Sequence, residues 1–436
     1  MAFRSFDQQA DDIQISRRSL FRGAAMLGAG AAAASLPFGR SAFAHAGHWP
    51  NVLATVEDYV SSGKVANMVS TLGWGQKPFD LINRGTLAFG DETLADADSL
   101  YRIYSMTKPI TGMATMMLIE DGAFELDTPL SEILPAFANM QVLRKDDGPL
   151  DEVDPAKTAI TIRHLLTHTA GIGYDITSKG LLQKAFQDKG ITSGQISRYP
   201  IPGLPAVTSA PGLEEWTNRL ATLPLIAEPG TIWSYSASID LLGRVIEVAS
   251  GMTYDRFLTE RLFKPAGMNS TYFRVPESEI GRYTTNYGIL NGNSLPIDPA
   301  ASSIYLDQPP VLWGGSALVC SPNDYDKFLR MLVGLGEING NRLMKEETVR
   351  IGTGNILPET ADLSASWIKG QQFGAGGRVT GTAFGWGGAA GTTAFADIKS
   401  GLRAANFTQY VPSQTYAIQR EFPEIVLKDL AALAGA

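Results

Sequence analysis

In YRIYSMTKPITGMATMMLIEDG, Tyr101 to Gly122, a serine and a lysine stand three residues apart where an apolar helix begins. A serine hydroxyl is a weak nucleophile at neutral pH. It needs a base for its proton and hydrogen-bond donors for the oxyanion of an acyl intermediate. Residues three apart on a helix share a face, so the Lys108 amine can reach the Ser105 oxygen. The positive end of the helix dipole favours negative charge developing there, and Pro109 is tolerated because the first turn loses few hydrogen bonds. The pattern alone is weak, because S-x-x-K occurs three times, at Ser61–Lys64, Ser105–Lys108 and Ser366–Lys369. Ser61 falls in a turn with no helix after it, and Ser366 lies in an irregular segment. Ser105 follows a strand and opens a long helix.

Two further segments bear on this serine. EPGTIWSYSASIDLLGRVIE puts Tyr235 in a polar turn just ahead of a helix, and FGWGGAAGTTAFADI puts Gly387 and Gly388 at the start of a strand. Glycines there let backbone N–H groups approach a bound molecule closely. Rival chemistries lack their residues. A Ser-His-Asp triad needs a histidine near the serine, yet the interior holds only His164 and His168, and no G-x-S-x-G is present. HLLTHTAG lacks the glutamate of H-E-x-x-H; the pair reads as packing and hydrogen bonding near a helix end closed by Gly171. No metal and no cofactor is expected. The glycines from Gly374 to Gly391 precede a strand, so no helix N-terminus is on offer for a phosphate. Met113, Met116 and Met117 read as core.

The elements that must position these residues follow from patterning. Trp49 to Ser62 reads as a helix, NMVSTLGWG and KPFDLINRGTLAFG as two strands, and Ser99 to Tyr104 as a short strand. The helix after Ser105 should run to about Glu120 and stop at Asp121-Gly122. Residues Thr158 to Ser250 carry helical periodicity, interrupted by a Pro/Gly-rich stretch from Thr192 to Gly212; the Trp and Tyr residues around Ile191 to Trp216 read either as a lid or acyl pocket or as an ordinary surface loop. SPNDYDKFLRMLVGLG has a full helix start: Ser321 as cap, Pro322 first, Asp324 three after the cap. TTAFADI and LRAANFTQY alternate as antiparallel strands, and Pro423 to Leu433 closes the chain with a helix. The expected organisation is a sheet domain from residues 47–135 and 310–436, with a mainly helical domain, 136–309, inserted between its halves.

Residues 1–46 read as an export signal. SRRSLFR is followed by an Ala/Gly-rich run and then SAFAHA, with cleavage after Ala44 or Ala46; this resembles a bacterial twin-arginine signal and implies a periplasmic or secreted protein. His45 and His48 flank that region as solvated tail. The segment holds five Arg and three Asp, so removing its +2 from the chain's −8 leaves −10. Such an acidic surface repels nucleic acid, and no apolar run is long enough to span a membrane. Cys320 is the sole cysteine, which excludes an internal disulfide; it reads as a small buried apolar residue.

YSMTKPITG, ITIRHLLTHTAGI, PGTIWSYSASIDLLGRVIE, LFKPAGMNSTYF, GGSALVCSPNDYDKFLRML and GWGGAAGT, in that order from about Ala66 to Tyr410, resemble the serine β-lactamase and penicillin-binding superfamily, more narrowly its carboxylesterase branch, family VIII. The resemblance implies an α/β plus all-α, β-lactamase-like fold: an antiparallel sheet flanked by helices, with an inserted helical domain. It implies Ser105 as nucleophile, Lys108 in the proton network and Tyr235 as proton shuttle, with Trp386, Gly387 and Gly388 as the third motif. The Ser105 and Ala389 N–H groups would form the oxyanion hole. Whether Lys108 or Tyr235 is the base stays open, since coupled groups titrate as a unit.

Two departures bear on substrate. Position 237 is Ala where the family often has Asn, so the carboxamide that would bind a lactam or peptide amide is missing. Trp386 replaces a common cation, although Arg378 or Arg403 could restore one. Both changes favour a small or medium neutral carboxylic ester as substrate. β-Lactam or D,D-peptide hydrolysis, acyl transfer to an alcohol, and a non-catalytic penicillin-binding homologue are the rival readings.

Overall fold

The computed structural model describes residues 48–201 and 207–434; the export-signal segment and residues 202–206 of the Pro/Gly-rich stretch lie outside them. A seven-stranded sheet is built from both sequence ends. It comprises β1 (Asn67–Trp74), β2 (Asp80–Gly85), β3 (Gln372–Phe373), β4 (Arg378–Thr380), β5 (Ala383–Gly387), β6 (Thr393–Asp397) and β7 (Leu402–Phe407), in the order β3-β4-β5-β6-β7-β1-β2. Every neighbouring pair is antiparallel.

The helices that matter to the site are α1 (Pro50–Ser61), α2 (Thr107–Glu120), α3 (Ser238–Ser250), α4 (Pro322–Val333) and α5 (Ile418–Ala434). Strand side chains alternate between faces, and β1 uses both. Met68 and Leu72 pack with Val52 and Val56 of α1 and with Phe422 and Val426 of α5. Val69 joins the main core with Phe328 and Leu332 of α4 and Phe407 of β7. The sheet is thus covered on both faces. α1 lacks a capping side chain of its own. Asp429 of α5 supplies one, its carboxylate accepting from the Asn51 N–H at 2.9 Å and the Val52 N–H at 3.0 Å. A carboxylate at a helix N-terminus satisfies orphan donors and complements the positive end of the dipole, so α1 and α5 are locked together.

Several expected elements differ in extent. α5 begins at Ile418, five residues ahead of the expected Pro423, because burial of Ile418 and Phe422 offsets the hydrogen bond that Pro423 cannot donate. The first helix of the middle region is only Ile162–Leu166. His168, with φ +57°, reverses the chain after it, and Gly171 follows with φ +71°. The next two helices there, Gly180–Asp188 and Gly212–Leu220, are short and joined by loops. α4 starts as its sequence indicates, with Ser321 Oγ accepting from the Asp324 N–H at 3.1 Å.

Arg403, one of the two arginines considered for the substrate cleft, is instead fully buried between β7 and α4. Its Nε donates to Asp326 Oδ1 at 2.8 Å, and its Nη2 to the Lys77 carbonyl at 2.9 Å. Gly73, across the sheet from it, leaves the volume that the guanidinium fills. Asp175 is the opposite case. Its Oδ2 accepts from the Ser193 N–H at 3.1 Å, its Oδ1 has no hydrogen-bond partner among the described residues, and burial pushes its carboxyl up from 3.8 to about 7.

These two carboxylates predict opposite outcomes. Asp326→Ala strands a buried guanidinium and should cost roughly 3–5 kcal/mol, read as a lower urea midpoint at unchanged slope. Asp175 takes up a proton in the native state at a higher pH than in the unfolded chain, so its contribution to stability falls as pH rises from about 4 to about 7. Asp175→Asn keeps an acceptor for Ser193 and removes the charge. It should raise Tm at pH 8 by a few degrees, on the order of the shift for about 1 kcal/mol, and leave it unchanged at pH 4; equal effects at both values would refute the assignment.

Candidate active site

Ser105 lies in a single 3-10 turn, Tyr104–Met106, between the short strand Tyr101–Arg102 and α2. The run-up is pinned by Arg102, which is fully buried. Its Nε donates to Asp298 Oδ2 at 2.7 Å and its Nη1 to the Thr284 carbonyl at 2.6 Å, while its guanidinium sits 4.1 Å from the Tyr283 ring centroid. Tyr104 adopts φ +41°, a conformation uncommon for a side chain of this size. Its hydroxyl accepts from Asn286 Nδ2 at 3.1 Å.

Two groups converge on the Ser105 oxygen. The Tyr235 hydroxyl donates to it at 2.7 Å, and Lys108 Nζ lies 3.3 Å away. Lys108 is fully buried and also donates to the Gly315 carbonyl at 2.9 Å. Its Nζ stands 4.6 Å from the Tyr235 ring centroid and 5.7 Å from that of Tyr174. The other S-x-x-K copies hold no such group: Lys64 pairs with Asp58 at 2.7 Å, and Ser366 Oγ donates to the Leu363 carbonyl in a surface turn.

Tyr235 is aimed by backbone on both sides. Ser234 N–H donates to the His168 carbonyl at 3.0 Å, Ser236 N–H to His168 Nδ1 at 3.2 Å, and Ala237 N–H to the Gly173 carbonyl at 3.2 Å. His168 therefore acts as an acceptor at Nδ1. Burial, aided by the Lys108 charge, holds its pKa well below the usual value, so it is the neutral imidazole. Its ring packs 4.9 Å from that of Tyr235. His164 serves its own helix start by accepting from the Thr161 N–H, and burial lowers its pKa to about 4. Both histidines serve as structural acceptors.

The third motif enters the site from β5. Trp386 is nearly buried, its ring 5.9 Å from that of Tyr235. The two glycines also have packing reasons within the protein. A side chain at Gly388 would meet the Ile103 carbonyl, two residues before Ser105, and one at Gly387 would meet the Gln419 amide of α5. Gly388 N–H is committed to the Thr392 carbonyl at 2.8 Å. The Ala389 N–H, next along the turn, has no acceptor among the described residues. Ala237 is fully buried at the start of α3, and so presents no side chain to a ligand. Arg378 lies opposite Gly385 in the sheet, and its guanidinium has no hydrogen bond, ion pair or ring contact with another described residue.

Sequence reasoning missed what surrounds Lys108. Asp240, in the first turn of α3, is fully buried. Its Oδ1 accepts from the Gly315 N–H at 2.8 Å, and the Tyr174 phenol faces it. Burial raises the Asp240 carboxyl to about 6 against the opposing pull of the Lys108 charge. Gly315 thus bridges the pair, with its carbonyl on the ammonium and its N–H on the carboxylate. In sequence an Asp in a first helical turn reads as ordinary dipole compensation, which hides this role. Trp233, Trp367 and Phe373 were also missed; they close an aromatic cluster around Tyr235 and Trp386.

The arrangement can deliver a serine alkoxide equivalent to a carbonyl, with a phenol and an ammonium to manage its proton. Comparison with known proteins agrees with that chemistry. The β-lactamase family pattern matches residues 29–423. An uncharacterized protein of Mycobacterium tuberculosis is 30% identical over 298 residues, 68% of this chain and 70% of that protein. Lovastatin esterase of Penicillium rubens is 34% identical over 191 residues, 43% of each chain. Among solved structures, EstCE1, described as a hydrolase with promiscuous acyltransferase activity, superposes with a TM-score of 0.69 at 20% identity, covering 88% of this chain and 98% of that one. With its β-lactamase-like fold and a pattern match over most of its length, this chain belongs to the β-lactamase family of serine enzymes.

Proposed function

We propose that the protein is a serine esterase that cleaves neutral carboxylic esters through an acyl-enzyme on Ser105. The observation that carries this reading is the convergence of the Tyr235 hydroxyl at 2.7 Å and Lys108 Nζ at 3.3 Å on one serine oxygen. In the reactive state the Tyr235–Lys108 pair has lost one proton, leaving the Tyr235 phenolate beside the Lys108 ammonium, and Ser105 Oγ attacks the ester carbonyl as its proton passes to that phenolate. The Ser105 and Ala389 N–H groups receive the tetrahedral oxyanion. Collapse expels the alcohol, which takes the proton back from Tyr235, and water then enters by the same route in reverse to release the acid.

The choice of ester over lactam rests on what the site lacks. At position 237 a buried Ala, its N–H spent on Gly173, gives no carboxamide for an amide substrate. Arg403 is sequestered with Asp326 and cannot hold a substrate carboxylate. We further place the enzyme outside the cytoplasm, on the twin-arginine pattern of the leading segment.

Ser105→Ala should lower kcat/KM for p-nitrophenyl butyrate by at least about 10³-fold. Tyr235→Phe should lower it by roughly 10²–10⁴-fold with KM little changed, and neither variant should lose its fold by circular dichroism. Near wild-type turnover in folded Ser105→Ala would dismiss the assignment, and nitrocefin turnover faster than ester turnover would replace it with a lactamase.

A further inference from the structure

The residues that sequence reading set aside as an irregular S-x-x-K copy, Ser366 to Lys369, carry the one exposed tryptophan beside the site. Trp367 is 51% exposed, whereas Trp233 and Trp386 are 4% and 6% exposed. Its ring centroid lies 5.3 Å from that of Trp386, 5.4 Å from Trp233 and 5.6 Å from Tyr235. Tyr235 in turn holds its hydroxyl on Ser105. The indole is therefore the solvent end of a continuous aromatic surface whose other end is the reacting oxygen.

We propose that Trp367 is a specificity-determining residue, the outer wall of a subsite that binds a flat apolar group, aryl or fused-ring, on the acyl side of the ester. This rests on the reading of Ser105 as an esterolytic nucleophile. Three features support it. Indole and phenol rings give large apolar contact with few rotatable bonds, so little ordering entropy opposes binding. The inner rings are held in place, because Phe373 packs on Trp233 at 5.7 Å and on Trp386 at 5.4 Å, and the fully buried Ile368 belongs to the same cluster. The Trp233 and Tyr235 rings are close to parallel, at 24°, while Trp367 stands edge-on to both at 78°. That gives a corner which offers a ring one face and one edge, the two geometries aromatic pairs favour.

Two measurements decide it. The first compares methyl 2-naphthoate with methyl butyrate, two esters that share a leaving group and differ in the acyl part. Trp367→Ala should lower the ratio of their kcat/KM values about tenfold, the effect of losing one good ring contact, chiefly through a higher KM for the naphthoate. Trp367→Phe should recover most of the ratio, which a merely structural role would not produce. The second is calorimetric binding of methyl 2-naphthoate to Ser105→Ala, where no turnover occurs; adding Trp367→Ala should weaken Kd about tenfold. A ratio within twofold of wild type, or equal Kd values in the two proteins, overturns the subsite. If the wild type hydrolyses neither ester, the reading of Ser105 falls, while the binding arm still decides the aromatic wall.

Discussion

The site depends on holding a lysine ammonium where water does not reach. Lys108 has no solvent exposure, and an isolated buried charge is expensive enough to neutralise or to prevent folding. The structure surrounds it with compensation: a carbonyl at Gly315, the oxygen of Ser105, the faces of two tyrosine rings, and the Asp240 carboxyl on the far side of Gly315. These come from four separate stretches of chain. The active site therefore exists only when α2, α3, the Tyr174 segment and the Gly314–Ser316 turn are packed together, so folding and site assembly are one event.

Gly315 shows how tightly that compensation is arranged. A side chain there would start about 3 Å from both Asp240 oxygens and from Lys108 Nζ, in the space between the charges. With glycine, one peptide serves both ions and sets their spacing without bringing them into direct contact. The carboxyl stays poised at about pH 6 and remains largely ionised at neutral pH, where it balances the ammonium. A direct ion pair would draw Lys108 away from the serine it must serve.

Much of this was legible from sequence, and the remainder was hidden for identifiable reasons. Ser105 and Lys108 could be named because their types and local context carry chemistry, Tyr235 because its segment resembles a family motif, and α4 because its cap residues act within a few positions of one another. What escaped depends on contacts distant in sequence. The cap of α1 comes from Asp429, nearly the whole chain away. Arg403 looked available for substrate until its partner Asp326 was known. Gly387 and Gly388 are required by Gln419 and the Ile103 carbonyl, so their small size reflects packing within the protein. Trp367 sits in a segment without periodicity, where pattern reading has no purchase.

Backbone strain marks the same two points that the chemistry needs. Tyr104 and His168 are non-glycine residues with positive φ, each costing of order 1–3 kcal/mol. One lies immediately before the nucleophile; the other lies under the segment that carries its phenol. Each is held by a bond made only in the folded state: Tyr104 by Asn286, and His168 by the Ser236 N–H. Relaxing either turn would swing Ser105 or Tyr235 off its partner. A 2.7 Å contact between side chains 130 residues apart survives because both approaches are over-determined by their surroundings. The strain is the local consequence of fixing that one distance.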